Sequence, residues 1–200
     1  MNPTDLQALP ATRTKKLVTI PLLSAVAFLL MYLEFPLPLI PNFLKLDFST
    51  LPGLLGGLMF GPAAGITIEL IKNILHLLLK NTDGLLVGEI ANFVAGSSFI
   101  WCVVAMHRLN RDKGGVVVGL LLGTVLMTVL MSAANVYVLI PAYAALYQMS
   151  VANLLATLQL DSMWSLVMHA IAPFNVIKGL ALSLITYPVY VKMAPRLGRG

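Results

Sequence analysis

Residues 116–140 read VVVGLLLGTVLMTVLMSAANVYVLI and contain no charged residue. Their length is that of an α-helix that crosses the hydrocarbon core of a bilayer, which needs about 20 consecutive apolar residues. Pro141 follows directly, and a proline removes a hydrogen bond from a helix interior. The stretch therefore predicts a membrane-spanning helix that ends at Ile140.

The composition of the whole chain is also typical of a membrane protein. Hydrophobic residues make up 58% of the 200 residues and charged residues only 10%, whereas a soluble domain contains about 25% charged residues. Helices of about 20 residues use most of this length, so we expect a single membrane domain, residues 1–200, without a separate catalytic domain. Cys102 is the only cysteine and is expected to be an inert core residue.

Apolar stretches elsewhere in the chain predict the other helices. Pro21 lies in the opening turn of the first, where a missing N–H costs least, and Gly61-Pro62 divides a stretch too long for one span. The predicted fold class is all-α, an integral membrane bundle of six transmembrane helices at about residues 17–34, 48–60, 62–80, 85–109, 116–140 and 167–193. Residues 1–14 are expected to form a short cytoplasmic tail, and a loop with Asp161 and Trp164 precedes the last helix.

Positive charges are distributed unequally between the ends of these helices. Six spans place both termini on one side, together with nine of the 13 lysines and arginines, while Lys45 and Lys80 lie on the other side. An excess of cations marks the cytoplasmic side of a membrane protein. We therefore expect a multi-pass protein with both termini cytoplasmic, and we attribute the net charge of +5 to topology rather than to nucleic-acid binding.

Glycines recur at every fourth position around the predicted turn at residue 61. They are Gly53, Gly57, Gly61 and Gly65. A ridge without side chains lets neighbouring backbones approach closely. Helix packing within the bundle is the simpler interpretation, and contact with a partner subunit is the alternative.

One predicted helix carries a stripe of ionisable residues. Glu69, Lys72, His76 and Lys80 follow one another at intervals of three, four and four, so they share one helix face. Charge is costly in lipid, so the stripe should face the bundle interior, with Glu69 close to Lys72. A structural ion pair and a functional one both fit this pattern. For His76 we expect a packing role near the outer surface rather than a ligand contact.

Other intramembrane polar residues concentrate in the outward half of the predicted bundle. They are Asp47, Glu89, Asn92, Asn135, Asn175 and Lys178. Amides and an ammonium group at one depth suit a pocket for a partly polar ligand, because Asn offers a donor and an acceptor and Lys offers donors. The alternative is that Asn135 and Asn175 simply bridge two helices.

An apolar, proline-stiffened loop, residues 35–48, is expected above this pocket. Phe35, Phe43 and Phe48 could cover an aromatic ligand from there. The alternative is a loop that lies among the lipid headgroups, where Phe and Leu also settle.

Motifs of common enzyme classes are absent from the sequence. There is no Gly-x-x-x-x-Gly-Lys-Ser/Thr phosphate loop, no His-Glu-x-x-His and no Gly-x-Ser-x-Gly, and the three histidines are far apart. We therefore expect no enzyme activity, no metal site and no cofactor. An ion-coupled carrier that works alone through Glu69 and Lys72 stays open, as does an intramembrane enzyme with Glu69 or His76 as general base.

Five short motifs resemble those of a known family. They read EFPLP at 34–38, LDFSTLP at 46–52, FGP at 60–62, ANVY at 134–137 and PFNVIKG at 173–179. In this order they are similar to the substrate-binding S components of energy-coupling factor (ECF) vitamin transporters, and among these to the riboflavin-specific members. The likeness runs over nearly the whole chain.

The resemblance implies a protein of the bacterial cell membrane that captures riboflavin from outside, as transported ligand and not as cofactor. The implied partner is a shared energy-coupling module of one membrane T subunit and two ATPase subunits. The implied ligand-binding residues are Asn135, Asn175, Lys178, Asp47, Leu46 and Glu89. The first three would hydrogen-bond the polar edge of the isoalloxazine ring, whereas Asp47 could instead cap a helix. An S component for another vitamin or precursor is the alternative.

A docking surface for the membrane subunit is also implied. Family members often carry an Ala-x-x-x-Ala pattern in helix one, and the nearest match here is Pro21 with Ala25. The small side chain of Ala25 leaves close helix contact possible. Pro21 and Ala25 are therefore the expected partner-docking residues.

Overall fold

The computed structural model describes residues 11–41, 43–80, 86–158 and 160–197, which form a bundle of helices. The helices are α1 (Ala11–Tyr32), α2 (Thr50–Phe60), α3 (Pro62–Leu79), α4 (Leu86–Leu109), α5 (Lys113–Ala134), α6 (Ile140–Leu146), α7 (Val151–Thr157), α8 (Met163–Leu166) and α9 (Ala172–Leu197). Two π-helical turns, Asn135–Leu139 and Val167–Ile171, connect α5 to α6 and α8 to α9. Two-residue strands, β1 (Phe35–Pro36) and β2 (Lys45–Leu46), lie between α1 and α2.

Five stretches of the described residues are long and apolar enough to cross a membrane. They are Arg13–Tyr32, Pro62–Leu79, Leu86–Leu109, Lys113–Leu146 and Met163–Met193. The helix α2 corresponds to the second predicted span, residues 48–60, but has only 11 residues. The predicted all-α membrane bundle is confirmed, with one short member.

The sequence predicts that the fifth span ends at Ile140. In the structure the span that begins with α5 continues beyond this residue. The π turn widens the helix, and the N–H of Ile140 bonds to the carbonyl of Asn135, five residues earlier. Pro141 then lies in the first turn of α6, directly after this widened turn, and the helix continues past the proline. The span therefore continues to Leu146.

The outermost spans also differ from their predicted bounds. The helix α1 includes residues 11–14, so only residues 1–10 of the predicted tail remain, and these lie outside the described residues. A helix can continue past the hydrocarbon core because its hydrogen bonds are internal. The last span begins with α8 at Met163, so Trp164 is helical rather than part of the preceding loop. The predicted start at residue 85 is outside the described ranges.

The glycine ridge lies where α2, α3 and α4 cross. A Cβ on Gly65 would be 2.7 Å from the carbonyl oxygen of Gly53 and 2.6 Å from the side chain of Ile100. Both distances are below van der Waals contact, so the four-residue spacing serves helix packing within the chain. At the turn between α2 and α3, Gly61 has a φ of +105°, which glycine adopts without strain.

We expect Gly65→Ala to lower the free energy of unfolding by about 1–3 kcal/mol, because the added methyl group overpacks a backbone contact. The melting temperature in detergent would measure this. Gly88→Ala is the matched control, because its Cβ would meet only the Tyr143 hydroxyl, at 3.8 Å. Equal melting temperatures for Gly65→Ala and the unchanged protein would contradict the packing role.

The segment between α1 and α2 forms a roof over one end of the bundle. Its two strands pair antiparallel, with Phe35 opposite Leu46. Phe43 and Leu44 pack against a small core that the second half of the chain supplies, including Ile140, Leu166 and Ile171. The roof is therefore held by α6, by α8 and by the two π turns.

Candidate ligand-binding site

A cavity of about 150 Å³ lies beneath this roof, among α1, α3, α4, α5, α6 and α9. Its polar lining consists of Glu34, Lys45, Asp47, His76, Lys80, Glu89, Asn92, Asn135, Asn175 and Lys178. Its aromatic lining consists of Phe43, Tyr143, Tyr147 and Phe174. A concave site with a few convergent polar groups among apolar walls suits a small organic ligand.

The structure brings most of the predicted ligand-binding residues to this cavity. Asp47, Glu89, Asn135, Asn175 and Lys178 all line it. Leu46 is buried beside Asp47 and is not among the lining residues, so its role in binding stays a prediction.

The predicted docking residues lie elsewhere, on α1. Pro21 and Ala25 are both exposed on the surface of the chain. Exposure leaves them accessible to a partner helix, and their docking role stays a prediction.

Lys178 is the central cation of the cavity wall. Its Nζ lies 2.9 Å from Asp47 Oδ2 and 3.3 Å from Asn92 Oδ1, and the side chain is buried. An ammonium group has three N–H donors, and these two acceptors are its hydrogen-bond partners among the described residues. The third N–H is therefore available to a ligand carbonyl.

Asp47 holds Lys178 in place as a carboxylate. Its Oδ1 accepts hydrogen bonds from the N–H of Ser49, at 2.8 Å, and from the Ser49 hydroxyl. Burial opposes ionisation, but the charges of Lys178 and Lys72 and the hydrogen bond from Ser49 outweigh it, so the pKa of Asp47 lies below its ordinary value. Asp47 thus anchors the start of α2 and also carries the counter-charge of the site.

Asn135 is the first residue of one π turn, and Asn175 lies in α9 one turn after the other. Each Nδ2 donates to the carbonyl four residues before it, Met131 or Ile171, at 2.8 Å. The amides thus bond within their own helices and do not bridge α5 and α9 to each other. Both are buried and line the cavity, so each keeps an oxygen and a second N–H for a ligand. Such π turns are frequent at functional sites.

Paired charges form part of the cavity wall. Glu34 Oε1 lies 3.2 Å from Lys45 Nζ and 3.4 Å from Lys80 Nζ. His76 Nδ1 lies 3.0 Å from Glu89 Oε1. His76 also contributes to the cavity wall, and its expected packing role rather than a ligand contact stays a prediction. The spacing of the stripe predicts the face of α3 on which His76 lies. It cannot predict that Glu89 of α4 lies opposite.

The inner half of the stripe on α3 is a structural ion pair. Lys72 Nζ is 2.8 Å from Glu69 Oε2, and both side chains are fully buried. Neither residue lines the cavity. The geometry therefore gives no support to Glu69 and Lys72 as direct ligand contacts.

The roof supplies one of the three predicted phenylalanines to the cavity. Phe43 lines it, whereas Phe35 is exposed and Phe48 packs against the main core. The ring of Phe43 lies 5.9 Å from that of Tyr143, which stacks on Tyr147 at 6.4 Å. The sequence analysis missed both tyrosines because it predicted that the helix ends before Pro141, and both tyrosines follow this proline.

Comparison with known proteins gives the family. The sequence model for the ECF transporter, substrate-specific component, matches residues 15–190. The riboflavin transporter FmnP of Bacillus subtilis (strain 168) is 38% identical and the match covers 92% of this chain and 94% of that protein. The riboflavin transporter RibU of Staphylococcus aureus (strain TCH60) is 38% identical, with 94% of each chain covered.

A solved structure of the S component of a bacterial ECF transporter has the same fold. It superposes with a TM-score of 0.77 at 38% identity, and the match covers 94% of this chain and 99% of that one. The chain belongs to the family of substrate-specific components of ECF transporters.

Proposed function

We propose that this membrane protein captures riboflavin, as the substrate-specific subunit of an ATP-driven importer. The observation that carries the proposal is the cavity in which Lys178, Asn135 and Asn175 converge beside aromatic walls. The polar edge of isoalloxazine alternates carbonyls with an N–H, which an ammonium and two amides can match. Apolar walls suit its benzenoid end. The riboflavin transporters among the relatives support the same ligand.

In this proposal the energy comes from a shared module of one membrane T subunit and two ATPases. The sequence has no phosphate loop of its own, and its family forms the substrate-specific part of a larger transporter. The exposed face of α1 with Pro21 and Ala25 would meet the T subunit. Vesicles that contain this chain alone should not accumulate riboflavin, and accumulation would favour the stand-alone carrier.

We also propose that both termini are cytoplasmic and that the cavity opens outward. Lys45 and Lys80, the cations expected on the outer side, line the cavity, whereas Arg108, expected on the cytoplasmic side, packs over the turn at Gly61. The test is labelling of intact cells with an impermeant maleimide, in a Cys102→Ala background. Both positions are exposed, and the proposed topology puts them on opposite sides, so Asp161→Cys should react and Arg111→Cys should react only after permeabilisation. The reverse pattern would contradict the orientation.

The fluorescence of riboflavin should be quenched when the flavin binds to the purified protein, and the quenching should saturate during a titration. Aromatic walls and exclusion of water account for the effect. Thiamine and biotin should not compete, because they lack the ring edge that the amides and Lys178 match. Flavin mononucleotide tests whether the phosphate is tolerated. Binding of thiamine or biotin without riboflavin would indicate an S component for another vitamin.

Asn175→Ala should weaken riboflavin binding about tenfold to 100-fold. The substitution removes a buried amide and leaves a polar atom of the ligand without its partner. The same fluorescence titration measures the affinity. Asn153→Ala is the control, because Asn153 is an exposed amide on α7. Equal affinities for the two variants would contradict the contact.

A further inference from the structure

A continuous chain of buried polar groups leads from the cavity into the crossing of α2, α3 and α4. Its members, in spatial order, are Asn92, Lys178, Asp47, Ser49, Lys72 and Glu69. Only the first three line the cavity. The last three are fully buried, and the proposed ligand contacts do not include them.

The direction of the hydrogen bonds along this chain follows from the chemistry of its groups. Lys72 Nζ lies 2.6 Å from Ser49 Oγ, and an ammonium group can only donate. Ser49 must therefore accept from Lys72, which leaves its hydroxyl hydrogen for Asp47 Oδ1. The hydroxyl of Ser49 is thus fixed in one orientation by a cation that lies outside the cavity.

Asp47 transmits this orientation to the cavity. Its two oxygens have different partners. Oδ1 accepts hydrogen bonds from Ser49, and Oδ2 lies 2.9 Å from Lys178 Nζ. A carboxylate held at one oxygen cannot rotate freely, so the position of the other oxygen is fixed as well. Lys178 is then held with its remaining N–H toward the cavity.

Glu69 supplies the charge that lets Lys72 stay in the interior. Its carboxylate occupies a slot between α2 and α4, where a Cβ on Gly96 would overlap Oε2 and a Cβ on Gly53 would lie 3.0 Å from Oε1. The chain then contains two cations and two anions, Lys72 and Lys178 with Glu69 and Asp47, and is neutral. Charge is tolerated inside a membrane protein when each charged group lies beside an opposite charge, as these four do.

We infer that Ser49 and Lys72 are positioning residues for ligand recognition by Lys178. They act through Asp47 and do not touch the ligand. The inference rests on the proposed function, in which Lys178 donates to a carbonyl of riboflavin. It assigns to the ion pair on α3 a role in ligand recognition as well as in stability.

The test compares two buried hydroxyl groups that Lys72 contacts. Ser49→Ala removes the hydroxyl that joins Lys72 to Asp47. Thr50→Val removes the hydroxyl of Thr50, whose Oγ1 lies 3.4 Å from Lys72 Nζ but which makes no hydrogen bond to Asp47 in the described part of the chain. We expect riboflavin affinity to fall about tenfold in Ser49→Ala, the effect of one hydrogen bond to a charged group, and less than about twofold in Thr50→Val. Equal losses, or none in Ser49→Ala, would overturn the inference.

A double-mutant cycle separates positioning from a merely structural effect. In a Lys178→Gln background, whose residual binding is measured at higher protein concentration, Ser49→Ala should weaken binding no further. A further tenfold loss there would refute transmission through Lys178.

A second cycle needs no ligand and keeps the inference testable if riboflavin does not bind. The effects of Ser49→Ala and Lys178→Gln on the melting temperature should be non-additive, because the two residues share Asp47. Additive effects would overturn the network. Absence of riboflavin binding by the unchanged protein would instead refute the proposed function and leave the network intact.

Discussion

Replacement of Lys178 by methionine should lower riboflavin affinity at least about 100-fold. The substitution removes the N–H that the ligand carbonyl needs, and it leaves the buried carboxylate of Asp47 without its nearest cation. Fluorescence titration of the purified variant measures the loss. Lys192→Met is the matched control, since Lys192 lies on the same helix but is exposed.

A folding defect must be distinguished from loss of the contact. Asp47→Asn combined with Lys178→Met removes both charges, so we expect it to recover most of the melting temperature while riboflavin stays unbound. Affinity of Lys178→Met within about threefold of the unchanged protein would show that the ligand does not contact this residue.

Lys72→Met should lower the free energy of unfolding by about 3–5 kcal/mol, because it leaves Glu69 buried without a counter-charge. Thermal unfolding in detergent measures the effect. Glu69→Gln with Lys72→Met should recover much of the loss, since no isolated charge then remains. Lys113→Met is the control, because Lys113 is exposed at the start of α5. A melting temperature unchanged in Lys72→Met would show that the pair contributes nothing to stability.

The sequence predicted those parts of the site that a single helix carries. Asn175 and Lys178 are three residues apart, so helix geometry places them on one face. The depth of Asn135 and Glu89 in their predicted helices placed them in the same half of the bundle. The ion pair of Glu69 with Lys72 followed from the same spacing.

Contacts between distant segments could not be read from periodicity. Asp47 and Lys178 are 131 residues apart, and no spacing rule connects them. His76 meets Glu89 only because α3 and α4 pack side by side. The two cavity tyrosines lie beyond Pro141, and a π turn that accommodates a proline has no simple sequence signal.

The two lysine–carboxylate pairs differ in when they can form during synthesis of the protein. Glu69 and Lys72 are one turn apart, so α3 brings its own counter-charge as it leaves the ribosome and enters the bilayer. Asp47 and Lys178 belong to opposite ends of the chain, and they can meet only after the final helix has been inserted. The cavity wall is thus incomplete until α9 has been inserted, and a nascent chain that lacks α9 has neither Asn175 nor Lys178 to offer a ligand.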